Sequence, residues 1–377
     1  MKVLFDLRVL SDDWSGISVY SFNLLKAISL SNSKIEFILI LKDNIILKRL
    51  KDQIDDFDET FKEVVFLKSS IYSIKNIYSL NKIIRKNKID YYFTTQYFWY
   101  YGCISAKTIA IIHDIIPMTH PSLLRKSLKT RLRYILAIFT RLTLKLSHKV
   151  IVNSDCTLEA LEGYFGDDMV KRCVKVYPVL IASNAVKNDD FPLYKRELSE
   201  IKNNFLLYVG RHDPYKNLVR LIKAFSDLKK DGFKPQLVIA GRVDTRYPQA
   251  LKIVKKLKLE EDVIFTNFIE DDILISLYSN CDFVVQPSLL EGFGLTALES
   301  LLYNKISIVS DIKVFKEILD KSALFFDPLS IEDIKKAILK AYQLSDKEIE
   351  ALLYAGKEVK ASFSYVEIMN SFESIFS

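Results

Sequence analysis

Gln286-Pro-Ser-Leu-Leu-Glu-Gly-Phe-Gly-Leu-Thr-Ala-Leu-Glu-Ser300 joins the end of an apolar strand to the start of a helix near Leu295. The turn between them carries Glu291, Gly292 and Gly294. Glycine lets backbone N–H groups approach a ligand closely, and a helix amino terminus adds a positive dipole end. That combination is a phosphate site. Glu299, one turn into the helix, is within reach of a pair of ribose hydroxyls. Glu291 lies near whatever the phosphate carries.

The strand before this turn is one of many. Short apolar runs alternate with helix-length amphipathic segments along all 377 residues. In the first half the runs are Val3–Leu7, Ile35–Leu41, Val64–Leu67, Tyr91–Thr95, Thr108–Ile112, Val150–Asn153 and Val174–Val179. In the second half they are Phe205–Val209, Gln236–Ala240, Val263–Phe268, Phe283–Gln286, Ile306–Val309 and Ala323–Phe326. Repeated β–α units call for parallel sheets with helices on both faces. The polar stretch Ala182–Asn204 splits the pattern, so the chain reads as two doubly wound α/β domains rather than one barrel. Ligands of such sheets bind beyond the carboxyl ends of the strands.

Several other strand ends carry polar groups. Val209-Gly-Arg-His-Asp-Pro-Tyr-Lys-Asn-Leu218 brings Arg211 and Lys216 out of the first strand of the second half. Arginine offers a fork of donors and lysine a mobile point charge for phosphate oxygens, so with the glycine turn they make a diphosphate clamp. Ile111-Ile-His-Asp-Ile115 ends another strand; His113 there is either functional or a satisfied core histidine. Gly16 lies in a loop between the first strand and a helix. Gln96-Tyr-Phe-Trp-Tyr-Tyr101 holds aromatics that can stack on sugars, enter a membrane interface or pack a core. Asp56-Phe-Asp58 sits in an acidic helix-like stretch away from any strand end and reads as surface.

The composition is that of an ordinary globular chain, 49% hydrophobic and 27% charged, which excludes disorder for most of it. Four scattered cysteines form no CxxC pair, which points to reduced thiols rather than a disulfide framework or zinc ribbon. The amino terminus meets Asp6 after three apolar residues, so no signal peptide is expected. The charge-free stretch Tyr91–Ala106 falls short of the ~18–20 residues a spanning helix needs.

The net charge of +7 is uneven: residues 1–180 carry 27 Lys/Arg against 18 Asp/Glu, and the remainder 27 against 29. No acid occurs between Asp114 and Asp155, where Arg125, Lys126, Lys129, Arg131, Arg133, Arg141, Lys145 and Lys149 fall. Leu128, Leu132, Ile135, Phe139, Leu142 and Leu146 form an apolar stripe at helical spacing there. The segment 123–149 is therefore a core-packed helix with a solvated face, a surface that meets anionic lipid, or both. No nucleic-acid recognition motif is present.

Taken together, these residues resemble the retaining GT-B glycosyltransferases of family 4. The signature is two glutamates with seven residues between them, Glu291-Gly-Phe-Gly-Leu-Thr-Ala-Leu-Glu299. Val209–Leu218 and His113-Asp-Ile-Ile-Pro117 look most like the mannosyltransferase-B-like subgroup. The resemblance implies two Rossmann-like domains facing a cleft: 1–181 for the acceptor, 182–361 for the nucleotide-sugar donor, and a C-terminal helix, 362–377, returning to the first. By that analogy Arg211 and Lys216 hold the diphosphate, with Gly16 and the N–H groups near Leu295 and Thr296. Gly292, Phe293 and Gly294 shape the donor turn. Glu299 binds ribose, and Glu291 holds hydroxyls of the transferred sugar. His113 sits beside the sugar or the anomeric centre, and Phe268 and Ile269 line the base pocket. Tyr97, Trp99 and Asp114 are expected on the acceptor side.

The activity implied is metal-independent hexosyl transfer without a cofactor, first from GDP-mannose, with rhamnose or UDP-sugar donors next. The acceptor expected is a polyprenyl-diphosphate-linked or other saccharide of bacterial O-antigen or capsule. The place implied is the cytoplasmic face of the cell membrane, held peripherally. Two other classes compete. Gly292-Phe-Gly-Leu-Thr-Ala297 with Asp311 fits an NAD-dependent oxidoreductase fingerprint. An isomerase of the UDP-N-acetylglucosamine 2-epimerase type would use the same fold.

Overall fold

Unbroken apolar runs such as Phe37-Ile-Leu-Ile-Leu41 and Leu237-Val-Ile-Ala240 are buried on both faces, as parallel strands covered by helices must be. The computed structural model describes residues 1–10, 16–31, 33–96, 100–120, 129–181, 200–267 and 269–376. The chain divides into two units, Met1–Ile181 with Phe363–Ser377, and Ala182–Ser362.

The first unit holds seven strands: β1 (Lys2–Asp6), β2 (Glu36–Leu41), β3 (Glu63–Phe66), β4 (Tyr91–Thr94), β5 (Lys107–Ile112), β6 (Lys149–Val152) and β7 (Cys173–Lys175). All pairings are parallel, in the order β3-β2-β1-β4-β5-β6-β7. Alternate residues feed two cores. Val3, Phe5, Leu39 and Leu41 face one, and Leu4, Ile38, Ile40 and Tyr92 the other. The helix Tyr365–Glu373 belongs here: Ile368, Met369 and Phe372 join the first of those cores, and the Phe372 ring meets Phe93 at 5.3 Å. The C-terminal helix thus returns to the first unit, as expected.

The second unit repeats the plan with β8 (Phe205–Val209), β9 (Gln236–Ala240), β10 (Val263–Asn267), β11 (Phe283–Gln286), β12 (Ser307–Ser310) and β13 (Ala323–Phe326). Its order is β10-β9-β8-β11-β12-β13, again all parallel. Every expected strand forms, with ends displaced by at most one residue, apart from Val174–Val179. There Pro178 has no N–H for the ladder, and only Cys173–Lys175 pairs.

Both sheets switch direction beside their first strand, at β1/β4 and at β8/β11. The loops leaving β8 and β11 diverge at such a point, which opens a crevice. The clamp and the glycine turn, 75 residues apart in sequence at Lys216 and Glu291, follow these two strands.

The basic helix departs from expectation. It spans Lys129–Leu146. Of the expected stripe, Leu128 and the side chain of Leu132 lie outside the described residues. Ile135 and Leu146 are exposed, and Phe139 and Leu142 half-buried. The face turned to the sheet instead carries Leu136, Ala137, Thr140, Thr143 and Leu144. The segment is apolar nearly all round, so periodicity offered two stripes. The one with small residues allows closer approach to β5 and β6 and faces the core.

Candidate active site

Two glycines set the strand ends. The Gly210 N–H, after β8, bonds the Ala240 carbonyl at the end of β9 at 2.9 Å. Gly210 and Gly241 have φ of +149° and +142°, and a Cβ on Gly241 would stand 2.2 Å from the Gly210 oxygen. Only glycines permit this contact. The Tyr208 hydroxyl then donates to the Arg211 carbonyl at 2.6 Å, which fixes where the clamp loop begins.

The clamp loop is tied to the glycine turn by three links. Asn217, in the left-handed region at φ 61°, donates from Nδ2 to the carbonyls of Pro287 (2.9 Å) and Pro328 (2.8 Å). The Leu289 N–H donates to the Tyr215 carbonyl at 2.7 Å. Lys216 Nζ donates to both Glu291 oxygens, at 2.7 and 2.8 Å. Ser288 Oγ adds a bond to Glu291 Oε1 at 2.7 Å. The Lys216 and Glu291 side chains are 16% and 8% exposed, so the pair sits in a site of reduced dielectric. Arg211 differs: it pairs through Nε with Asp213 at 2.9 Å and remains 63% exposed. Its guanidinium is largely exposed, while the Lys216 ammonium is paired with a carboxylate in a mostly buried setting.

Gly294 has φ +95°, and a Cβ there would stand 2.5 Å from the Phe315 ring. The helix Leu295–Glu299 follows at once, and its first bonds run from the Ala297 and Leu298 N–H groups to the Gly294 carbonyl. The N–H groups of Leu295 and Thr296 precede those bonds. Phe293 is buried, and Gly292 and Thr296 half-buried. Glu299 Oε2 accepts from the Tyr278 hydroxyl at 3.1 Å. Burial pushes the Glu299 carboxyl up, the Tyr278 bond pulls it down, and Asp271 adds to the rise. The Tyr278 ring stacks on Tyr303 at 5.1 Å.

In the first unit, His113 follows β5. Its ring meets Tyr20 edge-on at 5.0 Å, and its Nε2 is buried without a partner among the described residues. Burial holds the imidazole down to about 4, against a backbone hydrogen bond at Thr95, so it is neutral at pH 7. Asp114 Oδ1 accepts the Ile116 N–H at 2.9 Å, at the first residue of the short helix Ile116–Thr119. Gly16 opens the helix Gly16–Leu30, and a Cβ there would meet nothing within 4 Å. Ile269 packs beside Ile273 and Leu277. Tyr97, Trp99 and Phe268 lie outside the described residues. Asp56 and Asp58 are exposed, and Asp58 pairs with Lys51. Asp311, the acid of the NAD fingerprint, is taken by Lys316 at 2.5 Å.

Sequence reading missed Tyr208, Asn217, Gly241, Tyr278 and Ser288. Ser288 and Asn217 flank quoted motif residues and could have been found there. Tyr278 and Gly241 lie on other strand–helix units and carry no local signal.

Two such sheets, each doubly wound, are the architecture of the GT-B fold. Residues 191–359, most of the second unit, match the family model described as glycosyl transferases group 1. The O-antigen chain mannosyltransferase RfbU of Salmonella typhimurium is 30% identical over 238 residues, 62% of this chain and 61% of that protein. The N-acetylgalactosamine-N,N'-diacetylbacillosaminyl-diphospho-undecaprenol 4-alpha-N-acetylgalactosaminyltransferase of Campylobacter jejuni is 31% identical over 164 residues, 44% of this chain and 41% of that one. Both matches span less than two thirds of the relative. Among solved structures, Anabaena Alr3699/HepE in complex with UDP-glucose superposes with a TM-score of 0.72 at 17% identity, covering 100% of this chain and 99% of that one.

Proposed function

We propose that the chain is a retaining hexosyltransferase that uses a nucleotide sugar, GDP-mannose first, to extend a lipid-linked saccharide of a bacterial surface polysaccharide. The observation that carries this reading is the Lys216–Glu291–Ser288 cluster joined to the Gly294 turn at the β8/β11 switch point. The mannosyltransferase name of the Salmonella relative supports mannose, and the Campylobacter name supports an acceptor on a polyprenyl diphosphate. Rhamnosyl and UDP-sugar donors are the second choice, the latter favoured by the UDP-glucose complex of the Anabaena protein.

The leaving nucleoside diphosphate gathers negative charge as the anomeric C–O bond breaks. Arg211, Lys216 and the N–H groups of Leu295 and Thr296 are donors aimed at that charge, and one preorganised donor contributes about 3–4 kcal/mol. In this reading Glu299 takes the ribose, Glu291 the sugar hydroxyls and Gly16 the near side of the phosphate. His113, neutral, hydrogen-bonds the sugar. Asp114, Tyr97 and Trp99 belong to the acceptor, and Phe268 and Ile269 to the base. A carboxylate bonded on both oxygens by an ammonium and again by Ser288 is a weak nucleophile. Attack on the same face as the departing phosphate, which helps remove the acceptor proton, therefore fits better than double displacement. No metal has a role in this scheme.

The deciding experiment is a thermal-shift panel of GDP, UDP, dTDP and NAD, each with and without EDTA. At about 100 times Kd a ligand stabilises by ~2.7 kcal/mol. A shift with one nucleoside diphosphate that survives EDTA is expected. A shift with NAD alone would overturn the reading in favour of the oxidoreductase.

Tyr278→Phe tests the ribose role of Glu299. Removing a hydrogen bond to a carboxylate is expected to raise donor KM about tenfold with kcat nearly unchanged. The sign with pH follows from the forces on Glu299. The lost bond was lowering its pKa, so the carboxyl titrates higher, and the acid-side fall of kcat/KM begins at a higher pH than in wild type. Superimposable pH profiles would remove Glu299 from the donor site.

No helix among the described residues is long and apolar enough to cross a membrane. Peripheral attachment to the cytoplasmic leaflet through the basic helix is part of the proposal, supported by exposed Ile135, Ile138 and Leu146 beside Arg141 and Lys145. Each basic residue near an anionic surface contributes roughly 1 kcal/mol. Co-sedimentation with phosphatidylglycerol-rich vesicles is expected to exceed that with phosphatidylcholine alone; equal binding would remove the membrane part.

A further inference from the structure

Tyr72, Ile74 and Tyr78 are 51%, 67% and 75% exposed. They stand on the turn after β3 and on the start of the helix Lys75–Asn87. The turn is anchored from beneath. Asn76, fully buried, donates from Nδ2 to the carbonyls of Ser70 (2.8 Å) and Ile71 (3.1 Å). The Tyr100 hydroxyl donates to the Ile71 carbonyl at 2.6 Å. Arg8 Nη1 donates to the Ser69 carbonyl at 2.9 Å and to Asn76 Oδ1 at 3.0 Å. Arg8 is itself paired with Asp6, at 2.8 Å from Nε to Oδ1, and Tyr92 donates to the same carboxylate. A buried ion pair gives little net stability, but here it fixes the shape of a turn whose outward residues are apolar. An arrangement this ordered holds three large apolar side chains in water.

Two features say what covers them. The Tyr72 ring stacks on Phe139 of the basic helix at 6.4 Å and 17°, so this turn continues the surface bearing Ile135 and Ile138. The charge around it is of one sign. Residues 64–154 contain 15 Lys/Arg and two Asp/Glu, with no acid between Glu63 and Asp90. Along the helix, Ile74, Tyr78, Lys82 and Arg85 are all exposed at spacings of four, four and three, one face that is apolar at its start and basic beyond. Apolar tips ringed by cations fit the boundary between anionic headgroups and acyl chains, where aromatic rings concentrate. A polyanion such as nucleic acid would use the cations and leave the aliphatic Ile74 without a partner.

We propose that Tyr72, Ile74 and Tyr78 form a second membrane contact, an apolar prong that enters an anionic bilayer beside the basic helix. The inference rests on the membrane reading above and adds the element that turns electrostatic attraction into insertion. Its test uses the full chain and vesicles of phosphatidylcholine with or without phosphatidylglycerol. The triple variant Tyr72→Ser/Ile74→Ser/Tyr78→Ser is expected to bind the anionic vesicles at least about tenfold more weakly than wild type. Wild-type binding is expected to persist in part at high salt, because insertion is not screened, and that part vanishes in the triple variant. A single Tyr78→Ser variant, at the most exposed of the three positions, gives a smaller loss in the same direction if the triple variant folds poorly. The outcomes separate. Wild-type protein that ignores anionic vesicles overturns the membrane reading and this inference with it. Wild-type binding matched by either correctly folded variant at both salt concentrations overturns the prong alone.

Discussion

Lys216→Ala is expected to lower kcat by about 10²–10³-fold, the cost of losing one preorganised donor at a developing anion. The geometry supplies a control that separates two reasons for the loss. Lys216 Nζ bonds both oxygens of a largely buried Glu291, so its removal also leaves a carboxylate short of a partner, which is itself destabilising. Lys216→Ala/Glu291→Gln removes the stranded charge. If Lys216 serves the departing phosphate, the double variant stays slower than Glu291→Gln alone while its melting temperature recovers. Turnover restored by Glu291→Gln would mean that Lys216 only neutralises its neighbour. Arg211→Ala, which leaves Asp213 without its cation, is expected to reduce kcat in the same way. Steady-state kinetics with saturating donor measure all three.

Gly241→Ala is expected to destabilise the second unit by roughly 3–5 kcal/mol, at the upper end for a single substitution. Two effects add. The residue sits at φ +142°, outside the ordinary range of an L side chain, and its new methyl would stand 2.2 Å from the Gly210 oxygen. That neighbour is backbone, so the strand ends themselves must separate, and the clamp loop moves with them. Gly16→Ala is the matched comparison. Its Cβ would enter open space, so stability should change by less than about 0.5 kcal/mol. If Gly16 approaches the donor phosphate, the same substitution raises donor KM. Urea melts of both variants check the first contrast. A Gly241→Ala midpoint equal to wild type would show that the two strand ends are not locked together.

Much of this molecule is legible in the sequence because its signals are local. A strand buried on both faces must be an apolar run, and a parallel sheet must return through a helix, so alternation together with the polar break at Ala182–Asn204 marks two doubly wound units. The glycine turn was legible for the same reason: strand end, turn and helix start are contiguous. The Rossmann order then brought Arg211 and Lys216 to that turn, since β8 and β11 are neighbours in the sheet although far apart in the chain.

What the sequence could not decide are relations between distant segments. Helical periodicity states which residues share a face, never which face meets the core; the basic helix had two apolar faces, and close packing selected the one with Ala137, Thr140 and Thr143. Spacing marked Lys216 and Glu291 as ligand groups, but only the folded loops pair them with each other. Asp6, Arg8 and Asn76 carry no motif, and their common anchorage of an apolar turn exists only after three strand–loop units assemble. Local chemistry is written along the chain because it acts over a few residues. Burial, register between strand ends and the shape of an exposed surface arise from contacts between segments, and only the tertiary structure contains them.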